Sequence, residues 1–147
     1  MTATAADTSR YDIGAGVLDK IFGPSWRERT RETGIQAADD LQRIAVEHTY
    51  TDAWARDALD FKTRSVICLS ILTTIGHTTE ELKLHVEAAL ANGWTHEDLF
   101  EIFLHMIPYV GVPKTVAALR IAGDTFLELW AREAAEAEAK AAESAAE

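Results

Sequence analysis

Apolar positions recur along this chain at helical intervals, and the strict alternation of a half-buried strand is absent. The densest stretch runs from Lys62 to Gly93, KTRSVICLSILTTIGHTTEELKLHVEAALANG. Val66, Ile67, Leu69, Ile71, Leu72 and Ile75 leave no wide polar face, so the spacing predicts a central, buried helix with Asp60 as N-cap and Gly76 just past its end. Thr78 and Glu81 then have the spacing of a capping box, and Leu82, His85, Val86, Ala89 and Leu90 follow along one helical face up to Gly93. Together they predict an antiparallel helical hairpin with His85 inside an apolar stripe.

The flanking segments are helical too. Thr8 or Ser9 caps a helix over Tyr11, Ile13, Val17, Leu18 and Ile21, weakened by Gly14 and Gly16 and ended by Gly23-Pro24. Ser25 to Gly34 interleaves Arg27, Arg29 and Arg31 with Glu28 and Glu32, a solvated face before it is a basic lip over a ligand. Ile35, Ala38, Leu41, Ile44, Ala45 and His48 predict a further helix, and a linker from Thr51 to Asp60 holds Trp54, a pocket lid or a core plug. Thr95 with Asp98 opens a helix buried through Leu99, Ile102, Phe103, Met106 and Ile107; Pro108 stops or kinks it, giving a stiff loop through Tyr109, Gly111 and Pro113. A last helix runs from Lys114 through Phe126 and Trp130 into an Ala/Glu tail. The fold class is all-α, organised as a flexible start (1–8), a body (9–130) and a helical tail (131–147).

Composition narrows the function. A chain of 147 residues suits one domain, and a net charge of −10 argues against nucleic acid and anionic membranes as partners. No apolar run reaches the length of a membrane span and MTATAADTSR has no signal-peptide pattern, so a cytoplasmic location is expected. The single cysteine, Cys68, excludes an intrachain disulfide and a cysteine-rich zinc site, and no His-x-x-x-His pair or Gly-rich phosphate loop occurs.

Two readings stand for His85. It is either a core imidazole satisfied by a neighbouring carbonyl or carboxylate, or a proton donor or acceptor oriented by Glu81 one turn before it. Arg64, at the start of the preceding helix, would reach the same pocket. His105, four residues after Glu101, is either paired with that carboxylate or a polar group at a pocket edge.

Taken in order, Tyr11-Asp12-x-Gly14, Lys62-Thr63-Arg64-Ser65, the run from Glu81 to Gly93, and Tyr109-x-Gly111-Val112-Pro113 through Phe126 resemble the carboxymuconolactone decarboxylase family of the AhpD-like superfamily. The resemblance implies an AhpD-like helical bundle, assembled as a homo-oligomer (trimer or hexamer), that decarboxylates a small carboxylated lactone or aromatic acid without metal or organic cofactor. Its type substrate is 4-carboxymuconolactone, converted to the enol-lactone of the β-ketoadipate pathway. The peroxidase branch needs a Cys-x-x-Cys pair before the histidine, where this chain has Thr78 and Glu81. A peroxidase-like oxidoreductase and a noncatalytic ligand-binding module are the alternatives.

Decarboxylation sets three tasks. Arg64, or less well Lys83, would hold a substrate carboxylate; Tyr109 or N–H groups near Gly111 would stabilise an oxyanion; His85, oriented by Glu81, would deliver a proton. Trp54 and His105 complete the candidate binding set. The family usually has Gln where this chain has His105, and smaller residues where it has Met106-Ile107-Pro108, which widens the expected substrate to related lactones and aromatic acids.

Overall fold

The computed structural model describes residues 9–23, 26, 35–76 and 79–146, and every regular element among them is helical, as predicted. The chain packs as two compact units, Met1–Arg64 and Ser65–Glu147.

In the first unit, α1 (Arg10–Phe22) begins where the Ser9 hydroxyl accepts the Asp12 amide at 3.1 Å, and it ends at Gly23 with φ 67°. Ala15, Leu18, Trp26 and Val46 form the core, with Tyr11, Phe22 and Tyr50 packed around it. Gly14, a weakness for an isolated helix, is a packing requirement here. A Cβ at this position would lie 2.6 Å from the Val46 carbonyl oxygen and 2.8 Å from Thr51 Oγ1, whereas one at Gly16 would meet nothing within 4 Å. Of the Arg-rich segment only Trp26 lies within the described residues; its indole donates to Asp19 at 2.7 Å.

α2 (Gln36–Ala45) passes directly into a π-helical segment, Val46–Trp54, which takes up the first part of the predicted linker. Tertiary contacts hold this segment. The Thr51 hydroxyl donates to the Arg10 carbonyl at 2.6 Å, and ring contacts run from Phe22 to Tyr50 (6.3 Å), Tyr50 to Trp54 (6.1 Å) and Trp54 to Phe61 (6.1 Å). The predicted apolar stripe of α2 is not buried: Ile35, Leu41 and Ile44 are 64%, 68% and 52% exposed.

α3 (Phe61–Ile75) starts at the end of the first unit, where the Asp60 carboxylate caps it by accepting the Thr63 amide at 2.7 Å, and continues into the second. Contrary to the central, buried helix that the apolar spacing predicts, it is not buried all round. Ser65, Leu69 and Thr73 face the core, whereas Ile67, Ile71 and Ile75, four residues apart on one face, are 43%, 51% and 62% exposed. Gly76, at φ 73°, closes the helix with an N–H bond to the Leu72 carbonyl at 2.9 Å. α4 (Thr79–Ala91) follows; Thr78, the other half of the predicted capping box, lies outside the described residues.

α5 (His96–Val110) opens with the predicted Thr95/Asp98 capping box. Contrary to prediction, Pro108 neither ends it nor opens a loop. In the last turn a proline forfeits only one backbone hydrogen bond, and the helix continues to Val110 before Gly111, at φ 87°, breaks it. α6 (Val112–Ala146) starts at once, with Pro113 in its first turn, and runs without interruption through the Ala/Glu-rich stretch. Leu69, Leu82, Val86, Leu99, Phe103, Met106, Ala122 and Phe126 belong to one core cluster among the described residues of this unit. His96, predicted at an exposed helix start, packs edge-on against Phe126 at 4.5 Å.

The glycine geometry predicts opposite effects at two neighbouring sites. Gly14→Ala should lower stability by about 1–3 kcal/mol through overpacking against the Val46 carbonyl, and Gly16→Ala should raise it by about 0.5–1 kcal/mol through helix propensity. Urea denaturation of both variants checks this, and equal signs would contradict the close approach at Gly14.

Candidate active site

His85 stands on α4 between Leu82 and Val86, which are 3% and 0% exposed, so its own ring is half-buried on the flank of the core-facing row. Its Nδ1 is closed off from solvent. Burial pushes the imidazole pKa below its ordinary value of 6.5, and the exposed Glu81 carboxylate pulls it back only in part. The neutral imidazole therefore prevails at pH 7.

Arg64 lies at the end of the first unit, half-buried, with its guanidinium folded onto its own loop: Nε donates to the Leu59 carbonyl at 3.0 Å and Nη2 to the Arg56 carbonyl at 2.7 Å. Two of its five N–H groups are thereby engaged. Lys83, on α4, donates to the Glu128 carboxylate of α6 at 2.8 Å, a pairing that raises its pKa.

Near the α5–α6 junction the rings of His105 and Tyr109 tilt against each other at 5.5 Å, with Tyr109 76% exposed. The Gly111 N–H, a candidate oxyanion donor, bonds to the Ile107 carbonyl at 3.0 Å, and the Gly111 carbonyl accepts the Thr115 amide and hydroxyl at 3.3 and 3.2 Å. Trp54 is 6% exposed, and it is both a core plug and part of a cavity wall.

Each unit holds a cavity. That of the first, about 560 Å³, is bounded by Trp54, Phe61 and Ile13 with charges of both signs at Asp12, Lys20 and Arg56. That of the second, about 340 Å³, lies among the C-terminal end of α3, the first turn of α4 and the start of α6, with Thr73 and Lys114 in its wall. Neither is lined by His85. The structure thus brings Glu81 near His85 and His105 beside Tyr109, and joins Lys83 to an acidic partner. Thr73 and Lys114 carried no signal in the sequence beyond a hydroxyl within an apolar run and a cation at a helix start.

The model of the carboxymuconolactone decarboxylase family matches residues 39–124, a stretch that holds all the candidate residues from Trp54 to Gly111. The chain is 30% identical over 123 residues to a 4-carboxymuconolactone decarboxylase of Acinetobacter baylyi, covering 84% of this chain and 91% of that protein. It is 28% identical over 120 residues to a nitrosuccinic acid decarboxylase of Metarhizium robertsii, covering 81% and 82% of the two chains.

The depressed pKa of His85 fixes the sign of a stability effect. As pH falls through 6.5 the unfolded chain takes up a proton at this histidine before the folded chain does, so the native state keeps the full contribution above 6.5 and loses it between 6.5 and the lower folded value. Denaturation midpoints measured from pH 7.5 to 5 should fall less steeply in His85→Gln than in the parent protein. Parallel slopes would mean that the ring is not desolvated.

Proposed function

From the premise that the chain belongs to the carboxymuconolactone decarboxylase family and is a decarboxylase, we propose that its substrate is a small carboxylated lactone, with 4-carboxymuconolactone the first compound to test. The likeness to the Acinetobacter enzyme over nearly that protein's whole length is the observation that carries this reading. In such a substrate the bond between the ring carbon and its carboxylate breaks, CO2 leaves, and the electron pair flows through the alkene into the lactone carbonyl. The resulting dienolate takes one proton on the carbon beside the carbonyl, which yields the enol-lactone.

Nitrosuccinic acid, the substrate in the name of the Metarhizium relative, also carries a carboxylate beside an electron-accepting group and keeps a second carboxylate after CO2 is lost. The shared demand is a cation for the retained carboxylate and an acid for a carbanion delocalised onto oxygen. Related lactones and carboxylates activated in this way form the wider substrate class. A thiol peroxidase reading lacks its second cysteine, because Cys68 is alone in the sequence.

In the proposed mechanism the His85 imidazolium gives the proton to carbon and recovers it from solvent, Glu81 favours the charged ring, and Arg64 holds the retained carboxylate. Tyr109 and the Gly111 turn are assigned to the lactone oxygen, and Trp54, Lys83 and His105 to the edge of the binding region. The active form is proposed to be a homo-oligomer, a trimer or hexamer. The exposed isoleucines Ile67, Ile71 and Ile75, together with Leu104 and Leu127, are surface that a second copy would cover.

The reading is tested by CO2 release from 4-carboxymuconolactone and a panel of related lactones and nitro acids. His85→Gln should lower kcat by about 10²–10⁴-fold while the variant stays folded. Failure of every compound to release CO2 would overturn the substrate class. The pH profile tests the donor separately. With His85 as acid, kcat/KM should decline as pH rises through a midpoint below 6.5, and the kcat midpoint should lie higher, because a bound carboxylate favours the imidazolium. A rate that climbs with pH would give His85 the opposite role.

A further inference from the structure

The cavity of the second unit has a polar group that the fold does not use. Thr73 is 4% exposed in its wall, and its hydroxyl makes no hydrogen bond among the described residues. Other helix threonines nearby behave differently. Thr74, Thr115 and Thr125 each donate to the carbonyl four residues before them, at 2.8, 3.2 and 2.7 Å. A buried hydroxyl without a partner destabilises the native state, and this one is closed off from solvent where it stands. In a helix threonine divides between two χ1 wells, so a single rotation exchanges its methyl and hydroxyl at the wall.

The surroundings specify the occupant. Lys114 lines the same cavity, and its ammonium donates to the Thr74 carbonyl, a neutral partner that leaves the positive charge in place. Thr79 brings the first turn of α4 and Lys114 the first turn of α6, so two positive helix ends meet there. The opposing carbonyl end of α3 is blunted, because the Leu72 carbonyl accepts from Gly76 and the Thr74 carbonyl from Lys114. The rest of the wall is apolar, with Leu72, Leu82 and Ile121, and at about 340 Å³ the volume is at the small end for ligand pockets.

We propose that this cavity is a binding site for a small organic carboxylate with an apolar body, its anionic end held by Lys114 and by the Thr73 hydroxyl once that side chain has rotated to the wall, and its body against Leu72, Leu82 and Ile121. The site lies within the second unit, is not lined by His85, and is independent of the decarboxylase reading.

Titration of the full-length protein with benzoate and with benzyl alcohol, followed by amide chemical shifts, tests it. Benzoate should move the signals of Thr73, Thr79 and Ala118 and bind roughly tenfold more tightly than the alcohol, the difference that one charge-assisted contact supplies. Lys114→Gln should bring benzoate level with the alcohol. Thr73→Val, close in shape, should raise Tm by removing the unsatisfied hydroxyl and weaken benzoate roughly tenfold. Equal binding of benzoate and alcohol to the parent protein, shifts elsewhere than these amides, benzoate affinity unchanged in either variant, or a fall in Tm for Thr73→Val would each overturn the proposal.

Discussion

Small side chains let α4 and α6 share one core, and this close packing decides where the functional groups of the second unit stand. Ala89 of α4 and Ala118 and Ala122 of α6 are 0%, 3% and 0% exposed and belong to the same cluster as Phe103 and Phe126. Once Leu82 and Val86 are fixed in that cluster, the helical repeat leaves His85 on the shoulder of the buried row, too close to the core to be fully hydrated. The Lys83–Glu128 pair ties the same two helices together on the outside. The lowered pKa of the imidazole is therefore a consequence of helix packing, with the neighbouring carboxylate acting as a partial correction.

An analogous constraint operates in the first unit. Gly14 lets α1 touch the backbone of the π-helical segment, whose Tyr50 and Trp54 then join the aromatic row that ends at Phe61. After Trp54 the chain turns through residues 55–60, and Arg64 fastens that turn through two of its carbonyls. A guanidinium held in this way has fewer orientations to lose when it meets a carboxylate, which is how preorganisation contributes to binding.

Local chemistry was legible in the sequence and exposure was not. The caps at Ser9, Asp60 and Thr95 and the stops at Gly23 and Gly76 follow from hydrogen bonds and φ angles within a few residues, and each appears where its motif stands, whereas the stop expected at Pro108 falls at Gly111. The isoleucines of α3 and the stripe of α2 have the right period but remain exposed, because periodicity names a face without naming what covers it. Gly14 looked like a flaw because its purpose lies 32 residues away at Val46. For the candidate site, residue types and the Glu81–His85 spacing could be taken from the sequence. That Arg64 is engaged by carbonyls and Lys83 by a carboxylate could not, since Glu128 lies 45 positions from Lys83.

The partners of the cations separate them in a chain whose net charge is −10. An anionic ligand must overcome that background at some local point. Lys83 sits against Glu128 and presents to a distant carboxylate something close to a neutral dipole, so drawing it to a ligand would leave Glu128 uncompensated. Arg64 and Lys114 are bonded to neutral carbonyls, which orient the donors without cancelling the charge. Of Arg64 and Lys83, the arginine is thus physically better suited to a substrate carboxylate, and the reason is the identity of the acceptors each already has. Proximity to His85 along the chain would have favoured Lys83, two residues away on the same helix; electrostatics favours the arginine.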